Sequence, residues 1–156
     1  MPSRSIVQSR IERRCAEKGL KMTGQRRVIA RVLSEAIDHP DVERVHRRAA
    51  EIDRRISLAT VYRTVRLFEE AKILERHEFG QGRARYEVVP DSHHDHLIDM
   101  TSGAVFEFHS EEIERLQRGV AKKLGYRLVD HRLALYGVPL KGKGRLTGRR
   151  AAGEAK

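Results

Sequence analysis

The chain has 156 residues, 35% of them charged, and a formal net charge of +10 at neutral pH. No stretch approaches the ~20 consecutive apolar residues that a membrane-spanning helix needs, and the N-terminal segment, charged at Arg4 and Arg10, lacks the apolar core of a signal peptide. We therefore expect a cytoplasmic protein with no membrane partner. The excess of basic residues favours nucleic acid as the partner.

The charge falls into three blocks. Residues 1–87 hold 20 Lys and Arg against 13 Asp and Glu, a net charge of +7. Residues 88–139 hold 6 against 8, a net charge of −2, and residues 140–156 hold 6 against 1, a net charge of +5. With Pro90-Asp91-Ser92 as a candidate hinge, this asymmetry predicts a domain at 1–89, a second domain at 90–139 and a basic disordered tail at 140–156.

Four helices are predicted in the first domain. The first covers about residues 5–17 and is closed by Gly19, and the next three begin after the capping residues Thr23, Asp41 and Ser57. Apolar residues at three- and four-residue spacing form the inward stripes of these three helices. The stripes are Val28, Ile29, Val32, Leu33 and Ala36, then Val42, Val45, Ala49 and Ile52, then Leu58, Val61, Val65 and Phe68. Short helices in this order indicate a helix-turn-helix bundle.

Two strands are predicted next, at 73–79 and 84–88, around a glycine-bearing loop. A hairpin directly after the last helix predicts a winged helix. In the second domain, strands at 96–100 and 104–108 form another hairpin, Ser110 caps a helix that ends before Gly125, and a long strand covers 126–136. The predicted fold class is α+β, an N-terminal winged helix-turn-helix domain followed by a small α/β dimerisation domain.

The small size of the second domain has a consequence for assembly. About 50 residues cannot bury a generous core, so we expect a second copy of the chain to cover the remaining apolar face. The predicted partner is thus a homodimer, whose two-fold symmetry suits a palindromic operator in double-stranded DNA.

The fourth helix carries most of the residues expected to contact DNA. With the apolar stripe of the helix inward, Arg63 faces outward and can donate to a guanine edge, and Tyr62 can pack on a thymine methyl group or reach a phosphate. Thr60 and Arg66 are better placed against the phosphate backbone, and Lys21 can reach a phosphate or the minor groove. For each residue taken singly, the alternative is a solvated basic helix face.

The tetrad His93-His94-Asp95-His96 is the strongest candidate for metal binding. Side chains of an extended segment alternate between its faces, so His94 and His96 point to one side and His93 and Asp95 to the other. One short strand can therefore contribute ligands to two metal sites. The alternative is a solvated histidine-rich turn, which a lone His-x-His motif would favour.

Cysteine usage narrows the kinds of site further. The single cysteine, Cys15, lies four residues after Ile11 on the first helix, and we predict that it is a small core residue. One thiol cannot form an internal disulfide, and the absence of a Cys-x-x-Cys pair excludes a thiolate zinc site.

Several motifs keep the order and separation that they have in a known family. They are Ser57-Leu58-Ala59-Thr60-Val61-Tyr62-Arg63, Arg76-His77-Glu78-Phe79, His93-His94-Asp95-His96-Leu97-Ile98, Val105-Phe106-Glu107-Phe108, and His131 with Leu135-Tyr136-Gly137. Together they resemble the ferric uptake regulator (Fur) family from about Lys21 to Gly137. The resemblance implies a dimeric, metal-responsive transcriptional repressor of metal uptake genes, with no enzymatic activity and no small-molecule substrate.

The resemblance also implies two sets of metal ligands. The regulatory set is His39, Glu87, His94 and His96, with Glu107 as a further carboxylate. The second set is His93, Asp95, Glu114 and His131. Without the resemblance, the local sequence favours a turn residue beside Pro40 for His39 and a solvent-facing carboxylate for Glu87, and Glu114 can be an ordinary polar-face helix residue. For His131, a hydrogen-bonded core histidine and a metal ligand fit the local sequence equally well. We assign no ligand role to His46, His77 or His109.

The chain departs from the family at one pair of positions. Many relatives carry a Cys-x-x-Cys zinc site after the tetrad, whereas this chain has Asp99 and Ser102 there, so no Cys-ligated structural zinc is expected. The pattern resembles the branch that responds to iron or manganese. Imidazole and carboxylate ligands suit Fe²⁺ or Mn²⁺ and allow Zn²⁺ to substitute.

Alternative functions remain open at this point. They include a peroxide-responsive or zinc-responsive regulator of the same family, a DNA-binding architectural protein that ignores metal, and a metalloenzyme with an open coordination position. A heme-responsive relative is disfavoured because the sequence has no Cys-Pro pair.

Overall fold

A computed structural model describes residues 8–80 and 82–141 of the chain. The chain divides into two compact units, Met1–Pro90 and Asp91–Lys156. Among the described residues, the first unit contains four helices and a two-stranded sheet, and the second contains a three-stranded sheet and one helix. The predicted α+β fold class is confirmed. The predicted tail falls outside the described residues, apart from its first two positions.

The helices of the first unit begin where a side chain caps them. They are α1 (Arg10–Glu17), α2 (Gly24–Glu35), α3 (Val42–Ile52) and α4 (Leu58–Glu70). Ser9, Thr23, Asp41 and Ser57 each accept a hydrogen bond from the backbone N–H three residues ahead. The prediction that α1 begins near residue 5 is wrong. The Ser9 cap, which Glu12 completes by accepting from the Ser9 N–H, fixes the start at Arg10.

The core of the first unit lies among its four helices. Ile11, Cys15, Val45 and Phe68 are fully buried, which confirms the prediction for the cysteine. Two members of the predicted stripes are exposed, Ile52 by 55% and Leu58 by 38%. Each is the terminal residue of its helix, where no neighbouring helix covers it, so these two predictions are wrong.

A hairpin follows α4 and completes the winged helix. Strands β1 (Leu74–His77) and β2 (Arg85–Val88) pair antiparallel, with Glu75 opposite Glu87. Gly80 and Gly82 in the connecting loop have φ angles of 72° and 95°, a region that glycine adopts without strain. The hairpin thus carries Glu87 on a strand whose register is fixed by backbone pairing.

The second unit is a sheet with a single helix. Strands β3 (Asp95–Asp99) and β4 (Val105–Phe108) pair antiparallel, helix α5 covers Glu111–Lys123, and β5 (Ala134–Gly137) pairs parallel to β3. The strand order is β4-β3-β5, which places β3 in the centre.

The long final strand predicted over 126–136 is wrong, because only Ala134–Gly137 forms a strand. These four residues have backbone partners in β3, whereas Tyr126 and Val129 are 75% and 86% exposed. Alternating apolar residues at 126–133 predict burial that a single copy of the chain does not provide. No residue of α5 is buried either, and its apolar stripe of Leu116, Val120 and Leu124 is open to solvent. A second copy remains the predicted cover.

The turn between β3 and β4 is held by one carboxylate. Asp99 Oδ1 accepts from the Thr101 backbone N–H at 2.8 Å and from Thr101 Oγ1 at 2.6 Å, and Asp99 Oδ2 accepts from Ser102 Oγ at 2.7 Å. These side-chain hydrogen bonds, first from Thr101 and then from Ser102, lower the pKa of Asp99 to about 2. Within the described part of the chain, no helix is both long and apolar enough to cross a bilayer.

This turn predicts a specific pH dependence of stability. The folded pKa of Asp99 is about 2, and the unfolded value of an aspartate is about 3.9. The contribution of Asp99 to stability is therefore complete above the unfolded pKa and is lost as the pH falls through this window. We expect Asp99→Asn to remove that part of the pH dependence of thermal unfolding between about pH 5 and pH 2, and Thr101→Val to reduce it. Identical pH profiles for wild type and Asp99→Asn would contradict this assignment.

Candidate metal centres and nucleic-acid interface

Four potential metal ligands converge on one point of the second unit. The Asp95 Oδ1 atom lies 3.2 Å from His93 Nε2 and 3.0 Å from His131 Nε2, and the two imidazole nitrogens lie 3.0 Å apart. Glu114 Oε1 lies 3.6 Å from each nitrogen. The start of β3 with the segment before it, the helix α5 and the segment before β5 thus bring together the whole second ligand set. All four ligand atoms lie within 4.8 Å of one another.

These distances fit a bound divalent ion. Metal–ligand bonds of about 2.0–2.2 Å place neighbouring donors of a tetrahedral ion about 3.3–3.6 Å apart. The five separations of 3.0–3.6 Å lie close to that range. Among the described residues, the buried oxygens Asp95 Oδ2 and Glu114 Oε1 have no hydrogen-bond partner. Buried carboxylate oxygens without a donor are costly, and a cation would remove that cost.

The other two histidines of the tetrad form a second group, with His96 on β3 and His94 two residues before it. The His94 and His96 rings lie 4.9 Å apart, and His94 Nε2 lies 3.6 Å from Glu107 Oε1. Glu107 is the cross-strand partner of His96 on β4. The predicted alternation along the tetrad is therefore confirmed, since His94 and His96 form one group and His93 and Asp95 the other.

The remaining two members of the regulatory set belong to the first unit and lie together there. His39 Nε2 lies 2.7 Å from Glu87 Oε2, and both side chains are less than 10% exposed. His39 precedes α3 by three residues, and Glu87 lies on β2. A histidine and a carboxylate 48 residues apart in sequence are thus held in hydrogen-bond contact.

Sequence reasoning missed a neighbour of this pair. His77 Nε2 lies 2.6 Å from Glu87 Oε1 and 3.9 Å from Glu75 Oε2, and the His77 ring stacks on Phe79. The register of the hairpin was the available signal, because Glu87 faces Glu75 across the strands and His77 lies two residues further along. His77 therefore contacts a predicted metal ligand, although no ligand role was assigned to it.

Two further histidines have ordinary partners. His46 Nε2 lies 3.1 Å from the Ile56 carbonyl oxygen. His109 is exposed and lies 3.0 Å from Glu111 Oε1, a hydrogen bond that raises the pKa of the imidazole. His109 is therefore a suitable control for variants of the ligand histidines.

The predicted DNA-contacting residues lie on an exposed face of the first unit. Tyr62 is 55% exposed, and Arg63 and Arg66 on the same helix are exposed as well. Arg66 Nε donates to Glu70 one turn further on, at 3.0 Å. Thr60 is partly exposed, and its hydroxyl lies 3.0 Å from that of Ser57. Lys21 is exposed, before α2.

Comparison with known proteins identifies the family of this chain. The model of the "Ferric uptake regulator family" matches residues 17–136. A ferric uptake regulation protein of Rhizobium leguminosarum bv. viciae is 59% identical over 135 residues, covering 86% of this chain and 95% of that protein. The chain belongs to the ferric uptake regulator family.

Solved structures agree with this membership. A zinc-bound manganese uptake regulator is 59% identical with a TM-score of 0.75, covering 83% of this chain and 98% of that one. The ferric uptake regulator of Vibrio cholerae is 35% identical with a TM-score of 0.73, covering 81% and 98%. Members of the family are metal-responsive transcription regulators that act as DNA-binding dimers and are not enzymes, which sets the metalloenzyme alternative aside.

The cluster of His93, Asp95, Glu114 and His131 predicts that a variant lacking one of these side chains binds less zinc. Zn²⁺ that binds only the folded protein raises the midpoint of thermal unfolding by mass action. We expect His131→Ala to bind one equivalent of Zn²⁺ fewer per chain, measured by native mass spectrometry, and to gain less thermal stability from added Zn²⁺. His109→Ala should match the wild type in both measurements. Wild-type zinc stoichiometry and affinity in His131→Ala would rule out the second ligand set.

Proposed function

We propose that this chain is a metal-dependent repressor that binds palindromic operator DNA as a homodimer when loaded with Fe²⁺ or Mn²⁺, and that it controls metal uptake genes in the cytoplasm. The observation that supports the proposal most directly is the separation of the tetrad into two groups on opposite faces of β3. Each group has carboxylates beside it, which is the donor chemistry that a divalent cation needs.

The regulatory site is proposed to use His39 and Glu87 from the first unit with His94 and His96 from the second, and Glu107 as a further carboxylate. Because this set draws ligands from both units, a bound ion ties them together. We propose that this link fixes the angle between the units, and with it the spacing of the two recognition helices across the dimer. Metal then shifts the population toward the form that binds the operator.

The identity of the metal follows from donor chemistry only in part. Imidazole and carboxylate donors accept Fe²⁺, Mn²⁺ and Zn²⁺, and intrinsic affinity favours zinc. Selection of iron or manganese is therefore proposed to depend on coordination number and on the supply of each ion in the cell. The one cysteine, Cys15, is buried in α1, so we propose that no cysteine-ligated zinc is present.

A zinc-responsive regulator is the second candidate. It is favoured by the second ligand set, in which five separations of 3.0–3.6 Å approach those around a tetrahedral ion. Zinc at this set and iron or manganese at the regulatory set are compatible, because the two sets share no residue.

The DNA contacts are proposed to come from the exposed face of α4. Arg63 is assigned to a guanine edge and Tyr62 to a thymine methyl group, where they would read sequence. Thr60, Arg66 and Lys21 are assigned to the phosphate backbone, where they would position the winged helix. The net charge of +7 on residues 1–87 supplies a sequence-independent attraction to the duplex.

The regulatory assignment predicts the effect of losing two ligands. We expect the double variant His94→Ala and His96→Ala to lose metal-dependent DNA binding while it remains a folded dimer, because the winged helix is untouched. The measurement is a gel shift on candidate palindromes, titrated anaerobically with iron, manganese and zinc, beside sedimentation of the protein alone. His109→Ala is the control and should respond like the wild type.

Two results of this gel shift test the proposal, one for the ligand assignment and one for the identity of the metal. Unchanged metal dependence in the double variant would refute the assignment of His94 and His96. The response of the wild type to the three metals separates the two regulators, since DNA binding that only zinc restores would favour the zinc-responsive one.

A further inference from the structure

We propose that Arg85, assisted by the ion pair of Asp38 and Arg48, is a positioning residue that fixes His39 in the conformation in which its imidazole meets Glu87. The proposal rests on the proposed function, in which His39 and Glu87 are ligands of the regulatory metal. It assigns the metal affinity of this site in part to residues that touch no metal.

The backbone of His39 is the first observation. Its φ angle is 49°, in the left-handed region that residues with a Cβ atom rarely adopt. Within the described residues, Lys72 is the other non-glycine residue with positive φ, and it follows the end of α4, where a left-handed residue commonly closes a helix. His39 lies four residues beyond the end of α2, so helix termination does not explain its conformation.

The contacts of Arg85 account for the positive φ angle of His39. Arg85 Nε donates to the His39 carbonyl oxygen at 2.7 Å, and a terminal nitrogen of the same guanidinium donates to the Asp38 carbonyl oxygen at 2.5 Å. These two carbonyls belong to the peptide groups on either side of the His39 Cα atom. Because a guanidinium is planar and rigid, holding both carbonyls restrains both backbone angles of His39.

A second guanidinium holds the preceding residue. Arg48 on α3 donates to Asp38 Oδ1 at 2.9 Å and to Asp38 Oδ2 at 2.5 Å, a two-point contact that lowers the pKa of Asp38. Arg44 lies 3.6 Å from the same carboxylate. The residue after His39 is fixed as well, since the Pro40 carbonyl oxygen accepts from the Tyr86 N–H at 3.1 Å.

The strand that holds His39 is also the strand that carries its partner. Arg85, Tyr86 and Glu87 are successive residues of β2, so one rigid element supplies both the restraint on His39 and the carboxylate that faces it. A ligand fixed before metal binding loses less conformational freedom when it binds. Outer groups that orient metal ligands typically contribute about 10- to 100-fold to metal affinity.

The experiment compares Arg85→Met with Arg83→Met. Arg83 is exposed, contacts Glu43, and lies two residues before Arg85, so its removal is a matched loss of charge. Both variants are made in a His131→Ala background, which removes a ligand of the second set, and Mn²⁺ affinity is measured by competition with a chelator. We expect Arg85→Met to bind Mn²⁺ about 10- to 100-fold more weakly, and Arg83→Met to bind it with unchanged affinity. The visible absorption of bound Co²⁺ should change in Arg85→Met only.

A double-variant cycle with His39→Ala tests whether Arg85 acts through His39. We expect Arg85→Met to have little further effect once His39 is absent. An equal loss of affinity in the presence and absence of His39, or no loss at all, would overturn the positioning role. If His39→Ala itself binds Mn²⁺ with wild-type affinity, the ligand assignment under the proposed function is wrong, whatever Arg85 does. Should Arg85→Met fail to fold by circular dichroism, Arg48→Met and Arg85→Lys allow the same comparison.

Discussion

The alternation of side chains along β3 is the constraint on which the proposed metal chemistry depends. An extended strand must place successive residues on opposite faces, so Asp95 and His96, the first two residues of β3, face opposite ways. His93 and His94 precede the strand and continue the alternation, because His93 lies beside Asp95 and His94 lies beside His96. Backbone pairing with β4 on one side and β5 on the other fixes the register of β3. A shift of one residue would exchange the two pairs, which explains why the sites need a central strand.

Two of the proposed ligands on β3 are buried. Asp95 is 1% exposed and His96 is 6% exposed, so two polar side chains are buried although the hydrophobic effect does not favour their burial. Burying such groups is unfavourable unless partners compensate. In the second unit the compensation within the chain is incomplete, because two carboxylate oxygens among the described residues have no donor. A cation bound by these proposed ligands would remove that cost, so we expect metal binding and stability to be interdependent.

The sequence predicted the local elements well and the contacts between distant residues poorly. Caps at Thr23, Asp41 and Ser57 begin helices as predicted, because a side-chain cap acts within three residues. Two predictions were wrong because they depend on tertiary packing: the final strand is shorter than predicted, and Ile52 is exposed. The spacing of apolar residues along the sequence shows only which residues are apolar. Burial also depends on what packs against them.

The candidate sites show the same limit. The two pairs within the tetrad follow from strand geometry alone. The pairing of His39 with Glu87 came from resemblance. The register of the hairpin was a signal for the contact between His77 and Glu87. Nothing in the local sequence indicates that Arg85 would meet His39. Such contacts depend on how β2 lies against the loop before α3, which is a property of the folded unit. The Asp99 turn, by contrast, is local, because its hydrogen bonds join residues that are two or three positions apart.

In the proposed function, metal binding and operator binding are coupled through one ion at the regulatory site. Thermodynamic linkage requires the coupling to be reciprocal, so operator DNA must tighten metal binding by the same factor by which metal tightens DNA binding. A Mn²⁺ titration of the purified protein, with and without a high-affinity palindrome selected from random duplex DNA, measures this reciprocity. We expect tighter Mn²⁺ binding in the presence of the palindrome, by the factor measured independently for DNA affinity. Equal Mn²⁺ affinity with and without DNA would contradict it.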